Sequence, residues 1–430
     1  MEHLFDDFEP VSFEKWKEKI NADLKGKKTF DDLIWHTDNG IDVLPAYHQD
    51  ICPDKNRKIL AKNIGEFDKP NDWKIHFDTP LTTPEETNKK LLNALQSGVN
   101  SIEIKGSFVN YAQFKDALKD IDLSIVSTHF NTENTNETFH FLAQLCKERR
   151  YENEQIHGSI SNPVNVLNPD DFSVKSDIKQ LFDLAEINHF SNLKLFTIDV
   201  SGIHNSGGNT LQELVYGFAA LTDILNTLQE ITSENLSGKF RMIFATSTNY
   251  FFEIAKYRSI RLLWENLLEA AQMPFNPLEI LAVTSKLLQP EKDVETNLLR
   301  HTTESMSAII GSADALRVYP FTQKESYNEE FKERLAKNIS LILKEESFFG
   351  EIADPAAGSY YIEELTDELS QKAWHHLVKI TENGGYLPLL KENIIQQKIN
   401  EQKQKFEKDL AEQKRVLIGV NKYPNPNETN

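Results

Sequence analysis

The sequence predicts an α/β fold: a (β/α)8 TIM barrel with an N-terminal extended arm and C-terminal helices. Three observations carry this. From about residue 73, short apolar runs alternate with helical patterns through eight successive units. Gly and Pro number only 17 and 16 in 430 residues, which favours long helices over a many-turned β architecture. With 39% apolar and 26% charged residues, the chain has the make-up of a globular protein with a sizeable core.

The elements follow in order. Residues 1–70 read as the arm. A helix is expected over Ser12–Leu24, with Ser12 as N-cap and Phe13, Trp16 and Ile20 on one face. Pro45, Pro53 and Pro70 break the stretch that follows, which is too poor in apolar residues to fold alone. The arm must therefore lie on the body of this chain or on a partner. The barrel, residues 71–385, draws its strands from Trp73–Phe77, Ser101–Lys105, Leu123–Ser127, Ile156–Ile160, Leu193–Val200, Phe240–Ala245, Glu279–Val283 and Ala315–Tyr319. The seventh run is short, with a loop as the alternative. Helices are expected at about 84–97, 110–119, 136–149, 174–188, 209–230, 249–271, 293–310 and 329–345. Thr83-Pro84-Glu85-Glu86 supplies a capping box with proline at the first helical position. In 249–271, Phe252, Ala255, Ile260, Leu263 and Leu267 share a face, with Lys256, Arg258 and Glu265 elsewhere. In 293–310, Val294, Leu298, Met306 and Ile309 form a similar stripe. Further helices are expected at 366–380 and 386–415. Residues 386–430 form a C-terminal helix and a short linker, ending in a Pro- and Asn-rich tail.

Charge and cysteine content narrow the function classes. The net charge is −19, from 47 basic and 66 acidic residues. Such a chain is repelled by a phosphate backbone and by an anionic membrane surface, so neither nucleic acid nor membrane is expected as a partner. Two cysteines, Cys52 and Cys146, make no disulfide framework and suggest a reducing, cytoplasmic home. The acidic start, Met1 to Asp7, does not read as a signal peptide, and no stretch of about 18 apolar residues occurs.

Barrel enzymes hold their catalytic groups at the C-terminal ends of the strands. The fifth run there leads into Asp199-Val200-Ser201-Gly202-Ile203-His204, so His204 stands where a general acid belongs; a loop histidine without a task is the alternative. Gly207-Gly208 before a helix is compatible with a phosphate cradle or with a plain βα turn. His301 and Glu304 lie three apart on a helix without matching ligands and are expected as a solvated pair. His375-His376 point in different directions. Asp354-Pro355-Ala356-Ala357-Gly358-Ser359 reads as a structural turn leading to aromatic anchors, Tyr360-Tyr361. No zinc spacing, nucleophile elbow or Walker loop occurs.

Several stretches together resemble the methylmalonyl-CoA mutase family. Asn249-Tyr250-Phe251-Phe252-Glu253-Ile254-Ala255-Lys256-Tyr257-Arg258 is similar to the family's Asn-Phe-Phe-x-Glu-(aliphatic)-Ala-Lys-x-Arg helix. Asp354–Ser359 resembles its Asp-Pro-x-x-Gly-Ser turn, and Leu417–Tyr423 the end of its barrel. The arm is similar in Trp16-Lys17, Leu24-Lys25-Gly26-Lys27 and Gly40–Pro45. The resemblance runs in order along nearly the whole chain. It implies isomerisation of methylmalonyl-CoA and succinyl-CoA by a radical route, with adenosylcobalamin supplying the radical and the acyl-CoA threading the barrel. In the family, the cobalamin sits on a separate C-terminal domain with an Asp-x-His-x-x-Gly motif.

The departures from the family pattern matter more. This sequence has no Asp-x-His-x-x-Gly motif, so no cobalamin-binding domain is expected. The substrate-touching Arg-Gln-Tyr-Ala-Gly segment is replaced by Asp72–Pro80, with neither Tyr nor Arg. Residues 156–180 contain no Arg to pair the substrate carboxylate. The cobalamin-facing Gln-Ser-Leu-His-Thr-Asn becomes Ala313–Pro320. Two relics remain by resemblance: His204, in Ser201-Gly202-Ile203-His204 against the family's Ser-Gly-Tyr-His, and Arg241, matching an arginine that approaches CoA. The pattern resembles the small (beta) subunit of heterodimeric mutases. The expectation is a non-catalytic structural partner of a large subunit, with no catalytic residue, metal or cofactor of its own and adenosylcobalamin held by that partner. Phe5, Phe8, Phe13, Trp16 and Trp35 are candidate interface anchors, or pack on the chain's own barrel. Alone, the chain is a monomer or a homodimer. Two alternatives stand beside this reading: the barrel of a split acyl-CoA mutase receiving cobalamin from another chain, and an independent barrel enzyme using His204.

Overall fold

Eight parallel strands form the centre of the computed structural model, which describes residues 11–52, 70–172, 178–187, 189–231, 236–321 and 327–426. They are β1 (Lys74–Pro80), β2 (Ser101–Lys105), β3 (Ser127–Asn131), β4 (Gly158–Ser161), β5 in two pieces (Leu193–Lys194 and Phe196–Asp199), β6 (Phe240–Thr246), β7 (Glu279–Thr284) and β8 (Ala315–Arg317). Each pairs in parallel with its neighbour in the chain, and β8 returns to β1 through Ala315 opposite Lys74. The ring closes through β5. Its first piece pairs with β4 and its second with β6. Between the pieces the N–H groups of Leu195 and Phe196 both donate to the Lys239 carbonyl, a local bulge that splits the strand.

The alternation along each strand explains the closure. Ile75 and Phe77, Ile102 and Ile104, Met242 and Phe244 are buried in the main core beneath the helices. Alternating with them, His76, Glu103 and Arg241 are buried too, and face the bore. The helices follow α/β order: α1 (Phe13–Asp23) in the arm, then α2 (Pro84–Gln96), α3 (Tyr111–Ala117), α4 (Thr135–Arg149), α5 (Ile178–Ile187), α6 (Ser201–Asn205), α7 (Thr210–Ile231), α8 (Tyr250–Ala270), α9 (Thr296–Ile310) and α10 (Glu329–Leu341). Ser12 and Thr83 cap α1 and α2, their side chains accepting from the N–H groups of Lys15 and Glu86. The chain closes with α11 (Tyr360–Glu382), α12 (Tyr386–Lys391) and α13 (Ile394–Ala411). Among the described residues, no helix is long and apolar enough to cross a membrane.

Several expectations shift. The third strand lies at Ser127–Asn131 rather than 123–127, because Asp122 ties its side chain to the N–H and hydroxyl of Ser124 and turns residues 122–126. The short seventh run is a strand. The expected helix at 366–380 begins at Tyr360, and 386–415 is two helices, broken where Asn393 takes a left-handed φ of 60°. Residues 174–177, where the fifth helix was expected to start, lie outside the described residues, as do Phe5 and Phe8.

The arm lies on its own barrel over residues 35–47. Ile41 and Val43 join the main core, Asn39 accepts from the Leu211 N–H at 3.0 Å, and Tyr47 packs on Tyr361 with ring centroids 5.2 Å apart. Trp35 is half-exposed and meets Phe252 edge-on. Phe13 is buried within the arm itself, against Trp16 and Phe30.

Candidate functional site

The C-terminal ends of the strands carry the expected histidine. β5 runs into the short helix α6, which places His204 beside the residues that follow β7. His204 Nε2 lies 2.7 Å from Ser285 Oγ, which also accepts the Leu288 N–H at 3.0 Å. Burial, reinforced by the nearby Lys256 ammonium, pushes the imidazole down to about 3. A neutral imidazole keeps one N–H but is a far weaker acid than the imidazolium at pH 7. The position is right for a general acid and the environment is wrong. His204 borders a cavity of about 450 Å³ between the arm turn at 35–39, the loops 207–210 and 247–249, and α13.

Behind His204 the polar chain continues inward. The Ser285 N–H donates to Glu304 Oε2 at 3.1 Å, and His301 Nδ1 sits 3.0 Å from the same oxygen. The solvated pair expected at His301 and Glu304 is therefore buried. The reason is that α9 turns its polar stripe, Asn297, His301, Glu304 and Ser307, toward the barrel and leaves Leu299 in water. Similarly, Lys256 and Arg258 of α8 are buried, because α7 and α11 cover the face opposite its apolar stripe. Lys256 meets Glu213 at 3.0 Å and Glu253 at 2.5 Å. Burial opposes its charge, but the two carboxylates outweigh it and hold the ammonium protonated. Arg258 binds Asp354 and Glu363, so the Asp-Pro turn is a structural clamp. Gly207 and Gly208 are packed: a Cβ on Gly207 would lie 2.6 Å from Lys403 Cβ, and one on Gly208 2.6 Å from Ile203. They form a close turn under α13, packed on the side where a Cβ would point.

The bore holds what the sequence reading missed. β2 and β6 stand opposite each other in the ring of eight, yet Arg241 Nη1 reaches Glu103 Oε2 at 2.8 Å, so this pair crosses the axis. β3 and β7 are also opposite, and His129 Nε2 lies 3.9 Å from Glu279 Oε1. Arg241 Nε approaches the same Glu279 oxygen at 3.2 Å, and His76 stands 3.6 Å from Glu103. Burial pushes the Glu103 carboxyl up, but Arg241 and then His76 outweigh it and hold it well below the usual range. Burial and Arg241 together depress His129, leaving it neutral. Nearer the C-terminal end, Ala245, Leu281, Val283 and Ala315 form a small apolar cluster inside the ring. Arg317 ties β8 to Asp78 of β1 and to Glu333 of α10. A readable signal existed: Ile102-Glu103-Ile104 and Phe240-Arg241-Met242 put a charge between outward apolar neighbours, which at period two faces the bore. Among the described residues, no group of three or more His, Cys, Asp or Glu is placed to hold a metal ion.

The comparisons with known proteins can now be set beside this geometry. The family model described as methylmalonyl-CoA mutase matches residues 106–430. The chain is 30% identical to the methylmalonyl-CoA mutase small subunit of Porphyromonas gingivalis, over 99% of this chain and 71% of that protein. It is 25% identical to the small subunit of Streptomyces virginiae, over 97% of this chain and 71% of that protein. It is also 25% identical to the human mitochondrial methylmalonyl-CoA mutase, over 95% of this chain and 60% of that one. The motif helix α8, the Asp-Pro clamp and the closed barrel thus lie within a match that spans nearly the whole sequence, and the chain belongs to the methylmalonyl-CoA mutase family.

Proposed function

We propose that this chain is the non-catalytic small subunit of a heterodimeric methylmalonyl-CoA mutase, a structural partner for a large subunit that holds adenosylcobalamin and isomerises methylmalonyl-CoA and succinyl-CoA. One observation carries the proposal: two side-chain pairs, Arg241–Glu103 and His129–Glu279, cross the bore through which an acyl-CoA would have to pass. Arg241, the candidate CoA contact, spends its charge on two carboxylates inside the ring. Burying a further carboxylate there would need a cation that is already engaged. At the C-terminal face, His204 is turned to Ser285, and Arg317 is committed to Asp78 and Glu333. The names of the two small-subunit relatives point the same way.

The test mixes this chain with the mutase large subunit from the same cell and follows mass by light scattering and turnover of methylmalonyl-CoA in the same fractions. A one-to-one complex is expected, with turnover unchanged by His204→Ala in this chain. No complex, or turnover abolished by that substitution, would overturn the proposal. A second reading, an independent barrel enzyme, draws on the cavity beside His204. It requires an imidazole that can exchange a proton near pH 7, and the burial of His204 opposes that.

A further inference from the structure

The C-terminal half of α13 and the chain beyond it lie on the molecule without a core of their own. From Asn400 to Ile418 no residue is buried, whereas Ile399 before the stretch and Gly419 after it are. The stretch is seated at both ends. Gln212 of α7 donates to the Lys398 carbonyl at 3.2 Å, and Arg300 of α9 donates to the Ile418 carbonyl. Between these ties it closes one side of the cavity beside His204, to which it contributes Gln402, Phe406, Asp409 and residues 414–416.

Charge holds the middle. Asp38 pairs with Lys405 at 2.6 Å and with Arg415, and the Arg415 guanidinium lies 4.9 Å from the centre of the Phe406 ring. Asp38 stands at the tip of a hairpin in the arm, where Trp35 and His36 pair with Val43 and Asp42. The barrel side of that tip is fastened differently. Asn209 donates to the Asp38 carbonyl at 2.7 Å, the Leu211 N–H donates to Asn39 at 3.0 Å, Lys372 donates to the Gly40 carbonyl at 2.7 Å, and Ile41 is buried. Hydrogen bonds to main-chain groups and an apolar plug thus fix the turn to α7 and α11. Two ion pairs, with Lys405 53% and Arg415 44% exposed, join the stretch to the turn.

The two fastenings differ in strength. Ion pairs this exposed contribute little each and weaken with salt. Releasing them leaves the turn in place and uncovers little apolar surface beyond Phe406, so the stretch opens at a lower free energy than the barrel. We propose that residues 400–418 are a flap over the cavity beside His204, latched by Asp38, so that the arm turn governs access to the C-terminal face of the barrel. The latch is independent of the chain's place in a mutase.

Amide exchange read by mass spectrometry on the full chain tests this, at about 50 and 500 mM salt. In the unsubstituted chain, salt should speed exchange over 400–418. Asp38→Asn should speed it about five-fold, as expected for the loss of two exposed pairs, and remove most of its salt dependence. Exchange over 37–43 and over the barrel strands should change less than about two-fold, because the main-chain bonds of the turn remain. Glu401→Gln, which removes a pair with Lys398 inside α13, should leave exchange over 400–418 nearly as it was. In the same samples, diethyl pyrocarbonate should modify His204 about five-fold faster in Asp38→Asn, through the ring nitrogen that does not face Ser285. Exchange over 400–418 that neither salt nor Asp38→Asn alters overturns the latch. So does a turn at 37–43 that opens together with the stretch, or an equal effect of Glu401→Gln. A stretch that opens while the modification of His204 stays unchanged overturns its role as a flap over the cavity.

Discussion

Arg241 balances two carboxylates, Glu103 across the ring and Glu279 on the neighbouring strand, and little else in the bore can replace it. Arg241→Met leaves Glu103 buried with its chief cation gone, for which a loss of about 3–5 kcal/mol is expected in urea denaturation. A loss below about 1 kcal/mol would mean that the pair does not hold the bore. His204 makes a prediction with a definite sign. Its folded value, about 3, lies below the ordinary 6.5. The unfolded chain therefore takes up a proton near pH 6.5 that the folded chain refuses until about pH 3. The contribution to stability is fully present above 6.5 and is lost as pH falls toward 3. His204→Gln should remove one proton from that dependence, about 1.4 kcal/mol per pH unit between pH 6 and 4. Parallel curves of unfolding free energy against pH for the two chains would refute the buried neutral imidazole.

At the scale of elements, the close approaches decide which substitutions are tolerated. Gly158 opens β4 with a φ of 138°, and a Cβ there would sit 1.8 Å from the Thr128 carbonyl oxygen of β3. Gly158→Ala should cost more than about 4 kcal/mol and abolish the cooperative thermal transition, because two strands of a closed ring cannot separate without opening it. Gly207→Ala strikes Lys403 instead, at the rim. Amide exchange over α13 should then accelerate while the barrel strands stay protected. These contacts were not legible in the sequence, where Gly158 falls inside an expected strand and Gly207 in a βα turn or phosphate cradle. The helices were more legible. The Thr83 and Ser12 caps and the α8 stripe depend on local spacing and appear at the expected residues, and the β/α alternation appears in the expected order with shifted bounds.

For the whole molecule, the arm and the barrel differ in what secures them. Residues 35–47 are strapped to the barrel through Ile41, Val43, Asn39 and Tyr47. The cluster of Phe13, Trp16 and Phe30 lies apart from the main core. Trp16→Ala should therefore raise amide exchange in α1 and leave the thermal midpoint of the barrel within about 2 °C, since a satellite cluster opens at lower free energy than the core. A large drop in the midpoint would show that the arm helix is an integral part of the barrel fold.

The sequence by itself determined the β/α rhythm, the caps and the family motifs. Those signals are local, set by the 3.6- and 2-residue periods and by short motifs. Only the tertiary structure decided where the charges go. That Arg241 pairs with Glu103 across the axis, 138 positions away in the chain, depends on ring closure bringing β2 opposite β6. Helix packing likewise buries His301, Glu304, Lys256 and Arg258, which by composition alone belong in water. The helices and strands packed around each of them supply partners, and a buried charge with partners is stable where an isolated one is not.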